Sequence, residues 1–437
     1  MKLSASTIAP AGEGEPTLRY TGVSKTPRRG GVVIPIPSDI SSMMQTLVGE
    51  SDQISNSPTT VFNTERMAFL AELSRKLLAH QEARALPDVV SFAYWSRRAN
   101  LMRLADRLAG TGALRMGLGL SFHICPANVP INFAFSMAFG LLSGNTCVIR
   151  LPTKHSPTLD IMVEVIDKLL KEKSYLSLAS ELMLVRFDRN DKLSRFWMSV
   201  ADGRIVWGGD ATVDYMRGMP CRPRSREVAF PDRYSITAVD PDAVLALSND
   251  DLQALCLRLF NDMYLMDQAA CSSPQLLVWV GELGEAEEAK ARLWPEIERL
   301  ATSRYMPQAV QIMDKYVQAC RHAMSNDQVI SIERHSNQLY RIELSGVSER
   351  QDVCRGYYGT IHEVTLDTLE PLVPIITEKY QTLTYFGLDP AQIREFIIKH
   401  RLRGIDRVVP IGKALDMDIV WDGYEIISAL SRYVVVD

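Results

Sequence analysis

The sequence lacks the cysteine patterns that mark disulfide-rich proteins and structural zinc sites. Seven cysteines occur in its 437 residues, and no two of them form a Cys-x-x-Cys pair. The odd number and the wide spacing argue against a disulfide framework and against a structural zinc site. We therefore expect no bound metal, and we expect most of these cysteines to be small buried side chains. One of them could be a nucleophile.

Long apolar runs and an excess of one charge are also missing. No stretch approaches the ~20 apolar residues of a membrane-spanning helix, and the most apolar part, residues 133–142, is interrupted by Ser136 and Gly140. The formal net charge is -4, from 48 basic and 52 acidic residues, which disfavours binding to nucleic acid or to an anionic membrane. The first residues show no signal-peptide pattern, so we expect a cytoplasmic protein.

The sequence does contain enough apolar material for a large core. Hydrophobic residues make up 46% of a chain that is too long for one ordinary domain, so we expect two or three packed lobes. Residues 1–30 are rich in Gly, Pro, Thr and Ser and are expected to form a loose arm. A short apolar strand is predicted at 31–35.

Short apolar strands alternate with helices over the first half of the chain. Strands are predicted at 119–125, 146–151, 181–187 and 204–207, and helices at 62–85, 89–110, 131–143, 158–171, 191–201 and 210–217. This alternation predicts an α/β fold with a parallel sheet. Ligands bind such sheets at the carboxyl ends of the strands, so the loops at 126–130, 151–157 and 208–211 are candidate binding loops.

A second α/β lobe is predicted after residue 240. It contains helical patterns at 241–264 and 286–302 and a strand within 273–281. From residue 404 the pattern predicts a short strand, an irregular Trp-Asp-Gly-Tyr segment and a final helix. We divide the chain into an arm at 1–55, domains at 56–240 and 241–405, and a segment at 406–437 that packs back on the core.

Cys271 lies between a predicted helix and a predicted strand, in the segment DQAACSSPQLLVWV. Its neighbours Ala269, Ala270, Ser272 and Ser273 are small and leave room for a substrate to approach the sulfur. A thiolate is a good nucleophile, and the thioester that it forms is a good acceptor of hydride. The alternative is a buried structural cysteine, and spacing alone does not decide between the two.

A proline-flanked turn, Pro126-Ala127-Asn128-Val129-Pro130, follows a predicted strand. The two prolines fix the backbone while the carboxamide of Asn128 projects from it. This amide could donate a hydrogen bond to an oxyanion that forms on an acyl carbon. The alternative is an asparagine that only makes the turn.

Two further loops could contact a nucleotide. Gly208 and Gly209 lead from a predicted strand into a helix, and such a turn allows a phosphate to approach the helix N-terminus. The alternative is a tight turn with Asp210 as the N-cap. Arg150 ends another strand, close to Lys154, and either cation could meet a phosphate or simply be solvated.

Two other ionisable residues are weaker candidates for a functional site. Glu227 follows three nearby arginines and could be a general acid or base if it faces the site, while a surface ion pair is the alternative. His123 precedes the asparagine turn and is expected to be a core residue of its strand.

Taken in order, these segments resemble the aldehyde dehydrogenase superfamily. That superfamily has a Pro-x-Asn-x-Pro turn, a strand that ends in Lys, a Gly-bearing strand-to-helix turn, then a Glu and a catalytic Cys. A narrower resemblance, to the LuxC family of fatty-acyl-CoA reductases, is carried by SFAYWSRRANLMRL, DQAACSSPQ and GIDRVVPIGKALDMDIVWDGYEII. It extends from about residue 60 to the end. The resemblance implies a Rossmann-type cofactor domain and a second α/β catalytic domain that carries Cys271.

The same resemblance implies roles for individual residues. Cys271 matches the acylated nucleophile, and Asn128 matches the side chain that holds the oxyanion together with the backbone N–H of Cys271. Glu227 falls near the glutamate that activates deacylating water. The positions implied to contact the cofactor are Pro126, Arg150, Thr153, Lys154, Gly208 and Gly209.

The chain departs from the superfamily pattern at three places. Arg150 replaces the Lys that ends the strand. Glu-Val-Ala-Phe from Glu227 replaces the usual Glu-Leu-Gly-Gly, a loss that fits reduction better than release of acid. Thr153 and Lys154 stand where NAD-preferring relatives often place an acidic residue, which favours NADPH and leaves NADH as the other option.

We therefore expect NADPH-dependent reduction of a long-chain fatty acyl-CoA, or another acyl thioester, to the aldehyde through an acyl-Cys271 intermediate. The alternatives are an NAD(P)-dependent aldehyde dehydrogenase that releases acid and a non-catalytic scaffold for an acyl-transfer partner. The resemblance also implies an acyl-CoA or acyl-carrying protein as donor, an acyl-protein synthetase or transferase as partner, and a homo-oligomer.

Overall fold

The first half of the chain is organised around a six-stranded sheet. The computed structural model describes residues 31–109 and 114–436, so the predicted loose arm at 1–30 lies outside the described residues. The strands of this half are β1 (Val32–Pro35), β2 (Gln45–Val48), β3 (Gln53–Asn56), β4 (Leu114–Gly117), β5 (Leu120–Ile124), β6 (Thr146–Leu151), β7 (Leu182–Arg186), β8 (Gly203–Trp207) and β9 (Arg226–Phe230). Six of them form a sheet in the order β2-β7-β6-β5-β8-β9. All of its pairs are parallel except the edge pair β2 and β7.

Helices cover this sheet on both faces. They are α1 (Ser38–Ser41), α2 (Thr64–Ala79), α3 (Pro87–Trp95), α4 (Arg98–Ala109), α5 (Asn132–Leu142), α6 (Pro157–Leu170), α7 (Leu176–Ala179), α8 (Asp191–Val200) and α9 (Asp210–Arg217). Separate apolar clusters fill the two interfaces between sheet and helices. The strands between these clusters are buried on both sides, as parallel strands in α/β proteins are.

The helix predicted at 89–110 is wrong as a single element, because the chain breaks between α3 and α4. The hydroxyl of Ser96 donates to the carbonyl of Phe92, and the Asn100 amide donates to the carbonyl of Trp95 at 2.7 Å. The Ser96 backbone N–H still donates to the Phe92 carbonyl as the last helical bond of α3, so the Trp95 carbonyl is the one that a side chain takes where a continuous helix would use its own N–H group.

The second half of the chain builds a seven-stranded sheet. Its strands are β10 (Tyr234–Val239), β11 (Pro274–Val280), β12 (Val329–Arg334), β13 (Tyr340–Leu344), β14 (Thr360–Leu366), β15 (Tyr380–Phe386) and β16 (Arg407–Pro410). They lie in the order β12-β13-β14-β11-β10-β15-β16, and only the edge pair β12 and β13 is antiparallel within this sheet. The surrounding helices are α10 (Pro241–Leu245), α11 (Asn249–Tyr264), α12 (Leu283–Arg304), α13 (Ala309–Ser325) and α14 (Pro390–His400). Two further apolar clusters cover the faces of this sheet.

The chain changes sheets earlier than the domain boundary that we predicted at residue 240. β9 ends at Phe230 in the first sheet, and β10 begins at Tyr234 in the second. Three residues therefore connect the two units, and this short connection holds the carboxyl end of β9 beside the second sheet.

The C-terminal segment returns to the first unit. It contains β17 (Val420–Trp421), β18 (Tyr424–Glu425), α15 (Ile426–Ala429) and β19 (Ser431–Val434). The predicted final helix is therefore a single turn, and the apolar residues after it form a strand that pairs antiparallel with β4. Ile426, Ile427 and Leu430 join the core on one face of the first sheet. Within the described residues, no helix has both the length and the apolar character needed to cross a bilayer.

Candidate active site

The carboxyl ends of four parallel strands meet one loop of the second unit. The turns after β5, β6, β8 and β9 and the loop at 266–272 together line a cavity of about 530 Å³. This cavity will be called the catalytic cavity. Its position agrees with the rule that α/β sheets bind ligands beyond the carboxyl ends of their strands.

Most of the predicted site residues line the catalytic cavity. The residues brought together there are Cys271, Asn128, Pro126, Arg150, Thr153, Lys154, Gly208 and Gly209. The most distant of them, Pro126 and Cys271, lie 145 residues apart in the sequence. The fold therefore assembles the nucleophile candidate, the carboxamide and the loops predicted to bind cofactor around one space.

Glu227 is a correction to this set, because it does not line the catalytic cavity. It lies near the amino end of β9, whereas the carboxyl end at Phe230 faces the cavity. Its carboxylate pairs with Arg217 at 2.8 Å and with Arg204 at 3.4 Å. The alternative that we gave for this residue, an ion pair, describes its surroundings.

The loop that carries Cys271 is fixed by buried amides. Asp267 and Gln268 both have left-handed backbone conformations, with φ of 52° and 60°, which cost energy unless the surroundings hold them. The Gln268 amide donates to the carbonyls of Pro274 and Thr360, and the Gln275 amide donates to the carbonyl of Gln268. These contacts explain why the segment DQAACSSPQ forms a rigid turn before β11.

The sulfur of Cys271 contacts a chain of polar side chains. The Gln381 amide nitrogen lies 3.4 Å from Sγ and donates to Asp422 Oδ1 at 2.9 Å. Arg233 pairs with the same Asp422 oxygen at 3.0 Å. Burial, and then the charge of Asp422, raise the pKa of Cys271 to about 11, while Gln381 and Arg233 oppose the shift. The resting group is therefore the thiol.

Asn128 faces the loop that carries Cys271. Its side-chain nitrogen donates to the carbonyl of Ala269 at 3.3 Å, two residues before the nucleophile candidate. The side chain is exposed to the cavity, so the same N–H group can turn towards an acyl oxygen held on the sulfur. Asn128 and Cys271 therefore line the same cavity, with the Asn128 amide in contact with the loop that carries the sulfur.

The glycine turn after β8 leaves open space at a helix N-terminus. Gly209 is the N-cap of α9, and a Cβ built on it would meet no atom within 4 Å. No described side chain caps this helix at Gly209. Asp210 is therefore the first helical residue and not the N-cap that we offered as the alternative. Free backbone N–H groups at such a terminus favour a phosphate.

Two cations lie at the carboxyl end of β6 and on the loop that follows it. Arg150 donates from Nε and Nη2 to the carbonyl of Phe187, at 3.2 and 3.1 Å, so its guanidinium is largely used within the protein. Lys154 is exposed and forms no ion pair among the residues that the structure describes. Of the two, Lys154 is the cation available to a ligand.

A second cysteine and a histidine lie close by but are part of the core. Cys125 also lines the cavity, yet it is buried, and burial raises its pKa to about 12. His123 is fully buried between the hydroxyls of Ser121 and Ser136, each 2.8 Å away, and burial lowers its pKa to about 3. The prediction of a core histidine is confirmed, and Cys271 is the more accessible of the two thiols.

Gln381, Asp422 and Arg233 were missed in the sequence. Gln381 is one polar residue in the otherwise ordinary strand pattern of β15, and nothing in its neighbourhood signals a site. Asp422 had a usable signal in the sequence, since it precedes a glycine in the irregular Trp-Asp-Gly-Tyr segment. In the structure its backbone is left-handed, with a φ of 54°. Buried carboxylates in strained turns occur often at functional sites.

The fold of this chain is similar to that of the aldehyde dehydrogenases. Lactaldehyde dehydrogenase from Escherichia coli superimposes with a TM-score of 0.58 at 14% identity, over 85% of this chain and 86% of that one. An aldehyde dehydrogenase of Mycobacterium tuberculosis, solved in complex with NAD+, gives a TM-score of 0.56 at 12% identity, over 85% of each chain. At these identities the likeness shows the fold alone.

Within that fold, the chain belongs to the LuxC family. The family model described as "Acyl-CoA reductase (LuxC)" matches residues 64–433. The long-chain acyl-protein thioester reductase of Photorhabdus laumondii is 22% identical over 301 residues, 67% of this chain. The protein of the same description from Aliivibrio fischeri is 25% identical over 166 residues, 38% of this chain. This chain spans 58% of the length of the first relative and 32% of the second.

Proposed function

We propose that this protein reduces a long-chain acyl thioester to an aldehyde, with NADPH as reductant and with the acyl group held on Cys271. The observation that carries the proposal is the meeting of the Cys271 sulfur, the Asn128 carboxamide and the open Gly208–Gly209 turn around one cavity. The names of the relatives, long-chain acyl-protein thioester reductases, support the same reaction class.

In the first step the acyl group moves from the donor thiol to Cys271. The sulfur of Cys271 bonds to the acyl carbon, the bond to the donor sulfur breaks, and the proton of Cys271 goes to the departing thiolate. Because thiol is exchanged for thiol, no outside base is consumed, which suits a cysteine whose pKa is about 11. The Asn128 amide and the Cys271 backbone N–H stabilise the oxyanion, an effect of roughly 3 kcal/mol per donor.

In the second step the thioester on Cys271 is reduced. The nicotinamide, when bound, supplies the hydride that the thioester carbon accepts. Asn128 then faces the negative oxygen of the tetrahedral carbon, as in the first step. The carbon–sulfur bond breaks as the aldehyde carbonyl forms, and the Cys271 thiolate takes one proton from solvent.

The residues present fit a dinucleotide. The open Gly209 turn provides backbone donors for a pyrophosphate, and the walls at Pro126 and Gly208 bring protein atoms close to the same space. The exposed Lys154 provides a cation on the neighbouring loop. This combination of a helix N-terminus and a free cation is suited to a phosphorylated nucleotide.

The preference for NADPH is assigned to Lys154. In our proposal its ammonium group binds the 2′-phosphate, so Lys154→Ala should raise the Kd for NADPH about tenfold, equal to ~1.4 kcal/mol, and change that for NADH little. Fluorescence titration with both cofactors measures this. Lys168→Ala, an exposed lysine on α6 outside the cavity, is the control. Equal losses for both cofactors in Lys154→Ala would remove the assignment.

Reduction is distinguished from aldehyde oxidation by the products. The placement of Glu227 outside the cavity supports reduction, because that residue cannot activate water next to Cys271 from there. We expect acyl-CoA with NADPH to give aldehyde, and aldehyde with NADP+ to be oxidised only when coenzyme A is present. Rapid formation of free acid from aldehyde and NADP+ alone would instead identify a dehydrogenase. Partner binding without any cofactor-dependent turnover would identify a scaffold.

A further inference from the structure

A second cavity adjoins the catalytic cavity. It has a volume of about 860 Å³ and lies between the connection from α3 to α4 and the loop after β16. Ser91, Phe135 and Met417 line both cavities, so the two spaces share a wall. None of the residues predicted to contact the cofactor lines the second one. It therefore offers an approach to the catalytic cavity that is separate from the cofactor loops.

Two sequence segments that the reaction itself does not use build this second cavity. One is SFAYWSRRANLMRL, and the other is the stretch that ends before Trp421. They are tied together by the indole N–H of Trp95, which donates to the carbonyl of Met417 at 2.9 Å. The guanidinium of Arg407, in the second cavity, stacks 4.8 Å from the ring of Trp421, which lines the catalytic cavity.

The rim of the second cavity carries unpaired positive charge. Lys413 forms an ion pair with Asp416 at 2.8 Å, and Asp418 forms an ion pair with Arg107, which lies outside the cavity. Arg97 and Arg103 are exposed, and neither has a carboxylate within ion-pair distance in the part of the chain that the structure describes. Each guanidinium group donates to one neutral oxygen and keeps further N–H donors for an anion.

The neighbours of these arginines keep them at the rim. Arg97 lies over the ring of Tyr94 at 4.0 Å, and Arg103 donates to the side-chain oxygen of Asn100 at 2.8 Å. Asn100 is held in turn by the carbonyl of Trp95. Guanidinium groups held in place in this way suit a phosphate, which they bind through paired N–H donors.

We propose that the second cavity binds the phosphopantetheine arm of the acyl donor, with its phosphate at Arg97 and Arg103. The inner wall of Trp95, Phe135 and Met417 accepts the less polar end of the arm and leads its thioester towards Cys271. This inference rests on the proposed function. Coenzyme A and an acyl carrier protein both carry this arm, so the phosphate is the chemistry that they share.

The test reverses the charge of the two rim arginines. The double variant Arg97→Glu/Arg103→Glu should bind coenzyme A about tenfold more weakly in calorimetry and show a KM for acyl-CoA raised by at least about tenfold. S-acyl-pantetheine, which has no phosphate, should react at the wild-type rate. The control is Arg98→Glu, because Arg98 is an exposed neighbour that does not line the cavity. It should match wild type throughout.

A comparison of acyl-CoA with acylated carrier protein identifies which donor supplies the phosphate. A raised KM of the double variant for both acyl-CoA and acylated carrier protein would show that the second cavity binds the arm that they share. A raised KM for one of them alone would show that this donor is the one bound there. Wild-type behaviour of the double variant with both donors, or an equal loss with S-acyl-pantetheine, would overturn the proposal. A wild-type enzyme that makes no aldehyde from any donor would instead refute the proposed function, and the coenzyme A titration would still decide the binding site.

Discussion

The sulfur of Cys271 is placed near a buried carboxylate, which is unfavourable for its thiolate. Burial also raises the pKa of Asp422, to about 6, so this group is charged at neutral pH. Its negative charge disfavours ionisation of Cys271, whereas the hydrogen bond from Gln381 favours it. A high pKa protects the thiol of the resting enzyme from oxidation and alkylation, since the thiolate is the reactive form.

Asp422→Asn should therefore activate Cys271 towards alkylation. The amide keeps the contact with Gln381 and removes the negative charge, so the pKa of Cys271 falls and iodoacetamide labelling at pH 8 rises about tenfold, equal to ~1.4 kcal/mol. Gln381→Leu should have the opposite effect, because it removes a donor to the thiolate. Peptide mass mapping separates Cys271 from the exposed Cys221 and Cys320. Identical pH profiles in all three proteins would contradict this account.

The sequence made Cys271 and Asn128 predictable, and it made their polar surroundings much less so. Small neighbours and a proline-flanked turn are local features, and both residues reach the catalytic cavity. Gln381 lies 110 residues from Cys271, and their contact exists only because β15 pairs with β10. Glu227 looked suitable by its order in the chain, yet its position on β9 directs it away from the cavity.

Among the elements, the strand-to-helix turn at Gly208–Gly209 is the one that we propose to bind the cofactor phosphates. Gly209 has φ -64° and ψ 164°, an extended conformation that any residue can adopt. A side chain there would enter open space at the N-terminus of α9 and would not disturb the packing. Substitution can therefore separate ligand binding from folding.

Gly209→Val should weaken NADPH binding at least about tenfold, because its methyl groups occupy the space where a phosphate would approach the helix N-terminus. The melting temperature should stay close to that of wild type. Gly284→Val, at another glycine whose Cβ meets no atom within 4 Å, is the matched control and should bind NADPH normally. Normal NADPH affinity in Gly209→Val would argue against a phosphate at this turn.

Most central elements followed from local pattern, and most errors lie at ends and edges. Predicted strands at 119–125 and 146–151 match β5 and β6 closely, since fully buried strands appear as apolar runs between turn residues. The helix at 210–217 matches α9. The final helix was predicted too long, because a short apolar run fits the spacing of a helix and that of a strand equally well. Pairing with β4 makes Ser431–Val434 a strand.

At the scale of the whole molecule, a buried carboxylate ties the C-terminal segment to the helix before the Cys271 loop. Asp262, on α11, accepts the backbone N–H groups of Gly412 and Ala414 at 2.6 and 3.0 Å. It is buried, and burial raises its pKa to about 7 despite these donors. The loop at 412–418, which lines both cavities, depends on this anchor.

The stability of the protein should fall as the pH rises from about 4 to 7. The folded Asp262 holds its proton in this window while the unfolded chain releases it, so rising pH favours unfolding, by a total on the order of 4 kcal/mol. Asp422, with a pKa of about 6, adds a change of the same sign. Thermal melts at pH 4.5 and 7.5 measure this fall in stability.

Asp262→Asn isolates the contribution of one group. Its melting temperature should be lower than that of wild type at pH 4.5, because the amide NH2 group would face one of the two backbone N–H donors, and it should depend less on pH. Asp250→Asn, an exposed residue on the same helix, should keep the wild-type dependence. A pH dependence unchanged in Asp262→Asn would show that this carboxyl titrates as an ordinary one.

The two-unit plan was visible in the alternation of strands and helices, and the order of the weak motifs indicated the fold. What local pattern could not give was the meeting of distant segments. β2, from the region predicted as an arm, adds an antiparallel edge strand to the first sheet. Trp95 meets Met417 across 322 residues and shapes the second cavity. Such contacts depend on tertiary packing.

The central claim, that Cys271 carries the acyl group, is tested by intact mass. Wild type exposed to acyl-CoAs of graded length should gain the mass of one acyl group, and NADPH should remove it with release of one equivalent of aldehyde. Cys271→Ala should gain no mass while it binds NADPH with unchanged affinity. An acyl adduct that persists in Cys271→Ala, or that leaves as free acid when NADPH is added, would contradict the account.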